Sequence, residues 1–341
     1  MIGSPDREIS SGSVVPCNIR RVTMEELDGL WKAPTEKLSW RCLFTLPPWL
    51  DAWWTSFGEG LGLCLLLAED SEGVIGVVPL QIHGDTAMLV GSANVCDYLD
   101  VTTVPGRERD VCHTLFDYLE NEGIRELVLH GVRQDAVVWT HLAPVARALG
   151  WETTCQQEGV SFEIGLPATW DVYLQSLKGK QRHELRRKLR RLREAGHVRF
   201  RVIDSLDGVR EAFSTFLDLF KAARGNKAAF MSPQMTKFFR TLAANVSPHG
   251  MLKMGLMEID GATVSAVMCF DHRSIRYLYN SGYAPDYPSL SVGLLCKVLS
   301  IQDAMANGLS CYDLLKGEEV YKQRLGGQPK RIFKCRIRRP G

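Results

Sequence analysis

The sequence has no HExxH, His-x-His or CxxC spacing, so its eight histidines and ten cysteines offer no ready metal site. It has no GxSxG elbow, and no cysteine stands in a recognisable nucleophile motif, which favours direct group transfer over a covalent acyl-enzyme. Apolar runs are short. LGLCLLLA (61–68) falls far below the roughly 20 residues that cross a bilayer, so no membrane insertion is expected. The start, MIGSPDREISSGSVVP, lacks a hydrophobic signal core, so export is not expected either. The cysteines, at 17, 42, 64, 96, 112, 155, 269, 296, 311 and 335, sit mostly in apolar runs and read as buried thiols of a reducing cytoplasm. Net charge is also scarce: 41 Lys and Arg against 39 Asp and Glu leave +2, which excludes a protein-wide nucleic-acid footprint and makes any anion binding local.

What the sequence does contain is a repeat. LLLAEDSEGVIGVVPL (65–80) and MGLMEIDGATVSAVMCF (254–270) both read as β-hairpins, the second with Asp260-Gly261 at its turn. An offset of 189 residues carries Ile75 to Val264, Leu89 to Leu278, and Asp97-Tyr98 to Asp286-Tyr287. After each hairpin comes an amphipathic helix, a glycine stop and a strand: VCHTLFDYLENEGIRELVLHG (111–131) parallels LCKVLSIQDAMANGLSCYDLLKG (295–317), with Gly123 against Gly308. Each half then closes on a related helix, VARALGWE (145–152) and YKQRLGG (321–327). Two copies of one ββ-β-α-β-α unit follow, over 20–165 and 166–341, behind a polar tail of residues 1–19. The second copy has Tyr321 where the first has Val145, so chemistry is expected in the second and a supporting or acceptor wall in the first.

This pattern resembles the GNAT acyltransferase fold. The tandem arrangement is similar to the FemAB-like branch of that superfamily, in particular the CelD-like acetyltransferases of cellulose biosynthesis. The resemblance covers about residues 40–335 and is carried by PPWLDAWWTSFG (47–58), KGKQRHELRRKLRRLREAG (178–196) and YDLLKGEEVYKQRLGG (312–327). It implies an α/β protein of tandem GNAT-like modules, mixed central sheets flanked by helices, with acetyl-CoA or another acyl-CoA as co-substrate. It also implies that the donor's pyrophosphate sits at the turn before the second module's helix, where Ser289, Ser291 and Gly293 supply small residues, although SLSVG is a reduced form of the family's Arg/Gln-x-x-Gly-x-Gly. Tyr279, on the strand that splays in such folds, is expected to line the acyl channel. Tyr321 looks suited to protonate the leaving thiolate and Lys322 to stabilise the oxyanion. Asp313, a carboxylate in an apolar strand, is either paired with a cation, for which the basic helix is one source, or raised in pKa and able to take the amine's proton. The stretch around Trp49 is expected to anchor a helix to the first module's core.

The run KGKQRHELRRKLRRL (178–192) sets eight Lys and Arg and one His against a single Glu. Leu185, Leu189 and Leu192 form its buried stripe. With Leu185 at zero, a 3.6-residue turn puts Arg182 near 60° and Arg186 near 100°, bordering that stripe, with Arg187, Lys188 and Arg191 on the far, solvated side. Arg182 and Arg186 are therefore expected to hold an anionic acceptor, and the resemblance adds Lys180, since Lys180-Gln181-Arg182 matches a Lys-x-Arg element that FemAB-like proteins use for a phosphorylated acceptor; Asp97 and Tyr98 are expected to face the cleft from the first module. The expected function is N-acyl transfer, direct and without metal, to an amino group of an anionic or sugar-linked small molecule. Two alternatives remain: an aminoacyl-tRNA-dependent transferase of FemAB type, with tRNA as partner, and a non-catalytic nucleic-acid binder.

Overall fold

The computed structural model describes residues 17–33, 37–223 and 230–340; most of the expected polar tail lies outside them. The first unit runs β1 (Asn18–Val22), α1 (Met24–Lys32), α2 (Pro47–Phe57), β2 (Gly62–Asp70), β3 (Gly73–His83), β4 (Thr86–Leu89), β5 (Thr102–Thr103), α3 (Glu108–Asn121), β6 (Glu126–Arg133), α4 (Ala143–Ala148) and β7 (Glu152–Gly165). The second begins with α5 (Trp170–Ser176) and α6 (Gly179–Glu194). It then repeats the order with β8 (Val198–Ile203), α7 (Leu206–Ala222), α8 (Pro233–Val246), β9 (Leu252–Ile259), β10 (Ala262–His272), β11 (Ile275–Tyr283), α9 (Val292–Ala306), β12 (Cys311–Lys316), α10 (Val320–Arg324) and β13 (Gln328–Arg338).

Local chemistry accounts for the elements. Asp260 and Gly261 both take positive φ, 50° and 84°, the conformation a two-residue hairpin turn needs to follow strand twist. In α3 the buried residues Val111, Cys112, Leu115, Phe116 and Leu119 recur at helical spacing, and Gly123 and Gly308 end the two equivalent helices at φ 71° and 74°.

All strands join one mixed sheet in the order β1-β2-β3-β4-β6-β13-β7-β12-β11-β10-β9-β8, with β5 set against β3. The order is symmetric about its middle, and there the two units exchange their last strands: β7 of the first lies against β12 of the second, and β13 of the second against β6 of the first. β7 and β13 pair with each other along their length. Backbone hydrogen bonds therefore run across the boundary expected at residue 165.

Cys155 and Cys335, partners in the β7–β13 ladder, form a disulfide, which corrects the reading of all ten cysteines as thiols; the remaining eight are free. That pairing was invisible because the partners are 180 residues apart in sequence. α2 also does more than anchor one core. Trp49, almost wholly buried, packs edge-on against Phe44 of its own unit and against Phe238, Phe270 and Tyr279 of the other. Gln234 and Lys237 of α8 donate to the carbonyls of Ser56 and Thr55 in α2.

Candidate active site

β11 and β12 run parallel and pair at only three positions, Ile275–Cys311, Arg276–Tyr312 and Tyr277–Asp313. Beyond them β11 follows β10 to Tyr283, while β12 turns toward β7 through a bulge between Asp313 and Lys316. The strands part, and a cavity of about 640 Å³ opens between them. In the first unit β4 and β6 also pair briefly and diverge, but there segment 90–101 fills the gap with buried Val95, Cys96, Tyr98 and Leu99. Gly131 makes room for this plug: at φ 66° it accepts the Leu99 N–H, and a Cβ there would lie 3.0 Å from the Asp97 carbonyl oxygen. The plug delivers Asp97 to the second unit's cavity.

Tyr279 lies along the floor, its hydroxyl donating to the Val95 carbonyl of the plug at 3.0 Å. The start of α9 forms one wall. Ser291 holds the cap position in a left-handed conformation, φ 54°, without capping the helix through its side chain; its hydroxyl meets Lys188 of α6 at 2.5 Å. Gly293 sits where a Cβ would come within 2.8 Å of the Tyr283 ring. One turn on, Lys297 donates to the Gly293 carbonyl at 2.9 Å and lies 5.0 Å from the centre of the Tyr321 ring. Opposite, the Lys322 ammonium, almost fully buried, donates to the carbonyls of Leu315 at 3.0 Å and Lys316 at 2.8 Å and pairs with Glu319 at 3.0 Å. Leu315 carries φ 59°, a strained value for a bulky residue, at the bulge that turns these carbonyls toward Lys322.

Burial raises Asp97 most; the Lys316 N–H, donated at 3.0 Å, and the charges of Lys322 and Lys316 pull the other way, leaving its carboxyl at about 6. Burial, with Glu319 nearby, pushes the Tyr321 phenol up, so it stays protonated at neutral pH. The cavity thus joins a phenol that can give a proton to a carboxylate that can take one, with lysines around both.

Six of the residues singled out from sequence meet at this cavity: Tyr321, Lys322, Ser291, Gly293, Tyr279 and Asp97. Six do not. Asp313 is sealed between the units, taking a hydrogen bond from Tyr98 at 3.0 Å and facing Arg133 at 3.7 Å, and burial lifts it to about 7. Its cation therefore comes from β6 and not from the basic helix, and Tyr98 belongs to the same buried contact. Ser289 is exposed on the approach to α9. Lys180 and Arg186 are exposed and Arg182 reaches only the Gln175 carbonyl, because the border of α6 that meets the cavity is the one carrying Lys188. Sequence reasoning passed over Lys188, Lys297 and Lys316; a single lysine inside the apolar run GLLCKVLSI was the signal for Lys297. The uncapped start of α9, with Lys188 and Ser291 beside it, is a donor set that suits a phosphate. No group of metal-ligating side chains occurs among the described residues.

Residues 179–323 match the family of GNAT acetyltransferase domains. That match spans most of the second unit, whose fold is the GNAT fold. Over 93% of its length the chain superposes on 96% of FemX, with a TM-score of 0.63 at 12% identity. A conserved protein of unknown function from Bacteroides thetaiotaomicron gives 0.60 at 12% identity, covering 94% of this chain and 99% of that one. The C-terminal domain of a putative lysylphosphatidylglycerol synthetase from Agrobacterium fabrum gives 0.54 at 11%, covering 82% and 84%. At these identities the likeness is one of fold, and the fold is FemAB-like tandem GNAT. No curated protein matches the chain by sequence. No helix among the described residues is long and apolar enough to cross a membrane.

Proposed function

We propose that the chain moves an acyl group from an acyl thioester such as acetyl-CoA directly to the amino group of a small acceptor. The observation that carries this reading is the splay cavity, with a protonated phenol and a carboxylate of raised pKa on its lining. The thioester would bring its acyl group between β11 and β12, over Tyr279, and its pyrophosphate to the start of α9, where backbone N–H groups, Ser291 and Lys188 face an anion.

The acceptor would enter against the plug, its amine on Asp97. That carboxylate takes a proton from nitrogen as the C–N bond forms at the thioester carbonyl. The tetrahedral intermediate then collapses, the C–S bond breaks, and the Tyr321 phenol supplies the proton that the departing thiolate needs. Lys322 spends its three N–H donors on protein acceptors, so its part is to fix the strand end and hold positive charge near the oxyanion, not to bind it alone. Asp313 and Tyr98 would serve the junction and not the chemistry.

A second reading draws on the exposed positive face of α6, with Lys180, Arg182 and Arg186: an aminoacyl-tRNA as donor. Thermal unfolding decides between them. A rise in Tm with coenzyme A, accompanied by thiol release from acetyl-CoA in the presence of amines, supports the first; a rise with charged tRNA alone replaces it with the second.

A further inference from the structure

At the middle of the sheet β7 carries a bulge: Gly159 pairs with Ile332 and Gln157 with Phe333, which leaves Glu158 without a ladder partner. Bulges of this kind redirect a side chain, and Glu158 is redirected toward both units. One of its carboxylate oxygens accepts the Gly131 N–H at 2.6 Å and lies 3.6 Å from the Lys316 ammonium; the other meets His130 Nδ1 at 3.0 Å. Gly131 is the residue against which the plug backbone of Asp97 to Leu99 packs. Lys316 is the residue whose N–H holds Asp97 and whose carbonyl holds Lys322. The Lys316 side chain reaches Glu158 across Gly159, where a Cβ would come within 2.8 Å of its Cε.

We infer that Glu158 is a positioning residue for the site, gripping the plug's seat and the end of β12 together and thereby aiming Asp97 into the cavity. Glu158 does not line the cavity and touches no substrate, so it acts through Lys316 and Gly131. The charged groups that act most strongly on Asp97 are Lys322, Lys316 of β12 and Glu319 just before α10, and Glu158 reaches this set through its ion pair with Lys316. Burial favours protonating Glu158, but His130 and the Gly131 N–H outweigh it and keep the carboxylate ionised for Lys316.

The inference rests on the reading of Asp97 as the amine-binding carboxylate, and its test is independent of turnover. The Asp97 carboxyl is titrated by carbon-13 NMR in the intact protein, in Glu158→Gln, in Lys316→Met and in the double variant, with Tm recorded for each. Glu158→Gln keeps an acceptor for Gly131 but removes the charge that pins the lysine, so the Asp97 midpoint is expected to shift by about half a unit or more at unchanged Tm. In the Lys316→Met background the second substitution is expected to add nothing. An unmoved midpoint in Glu158→Gln, or shifts that add in the double variant, overturns the inference. Should Glu158→Gln unfold, the Lys316→Met series with Glu158→Asp gives the same comparison. If the midpoint shifts as expected while acetyl-CoA donates to no amine, the positioning role stands and the acyl-transfer reading falls.

Discussion

The ammonium of Lys297 lies 5.0 Å from the centre of the Tyr321 ring, joining the second turn of α9 to the start of α10 at the cavity. A cation over an aromatic face holds the ring in one orientation. The phenol at its edge is thereby aimed, and burial keeps it protonated. Tyr321→Phe preserves the ring and its partner while removing the acid. The expected result is a fall in kcat of about 10²-fold with KM for acetyl-CoA and Tm nearly unchanged, followed as thiol release. Wild-type turnover in that variant would remove Tyr321 from proton transfer.

Lys322 presents a different balance. The sequence alone suggests a lysine whose loss harms turnover and spares the fold, but the side chain is sealed and makes two hydrogen bonds and an ion pair. Lys322→Met would leave the Leu315 and Lys316 carbonyls unsatisfied at a strained bulge. Stability is expected to drop by about 2–4 kcal/mol, read as a lowered urea midpoint at constant m-value. A midpoint within error of wild type would show that water replaces the ammonium at no cost.

Much of the fold was legible because duplication writes the same hydrophobic period twice, and the 189-residue offset holds from β3 and β10 into β4 and β11. Tyr321 stood out for the same reason, as the point where one copy departs from the other, and Lys322 stood out only through the family resemblance. The border of α6 was not. Periodicity locates a buried stripe but not which of its two edges meets a cavity, so Arg182 and Arg186 were preferred to Lys188. The exchange of β7 and β13, the Cys155–Cys335 bond and the burial of Asp313 all depend on pairings between residues far apart in sequence, and no local pattern encodes those.

The disulfide gives a prediction of its own. It closes a loop of 180 residues across the exchanged strands, so cross-linking restricts the unfolded chain strongly. Thiol titration of the unfolded, unreduced protein should count eight reactive cysteines, rising to ten on reduction. Adding reductant, or substituting Cys335→Ala, is expected to lower stability by about 2–5 kcal/mol in denaturant melts. Ten titratable thiols before reduction would mean that the bond does not persist in solution.

Asp97 links pH to both stability and rate. Its carboxyl titrates at about 6 in the folded protein against an ordinary value of 3.8. Between those values the folded chain holds the proton more tightly than the unfolded chain does, so this group's contribution to stability falls as pH rises from about 4 to 6 and stays lost above that. Asp100 and Asp313, both pushed to about 7 by burial, act in the same direction, over a window that extends to neutral pH. Asp97→Asn removes one such cost while its amide oxygen still accepts the Lys316 N–H. Relative to wild type it should therefore gain Tm at pH 8 and show no gain at pH 4. Catalysis should change in the opposite sense. If ionised Asp97 takes the amine's proton, kcat/KM in the wild type climbs with pH through a midpoint near 6, and the variant loses that limb together with about 10²-fold in rate. A variant that gains stability at pH 8 yet keeps both the rate and the limb would leave Asp97 as a buried carboxylate and move the base elsewhere on the cavity wall.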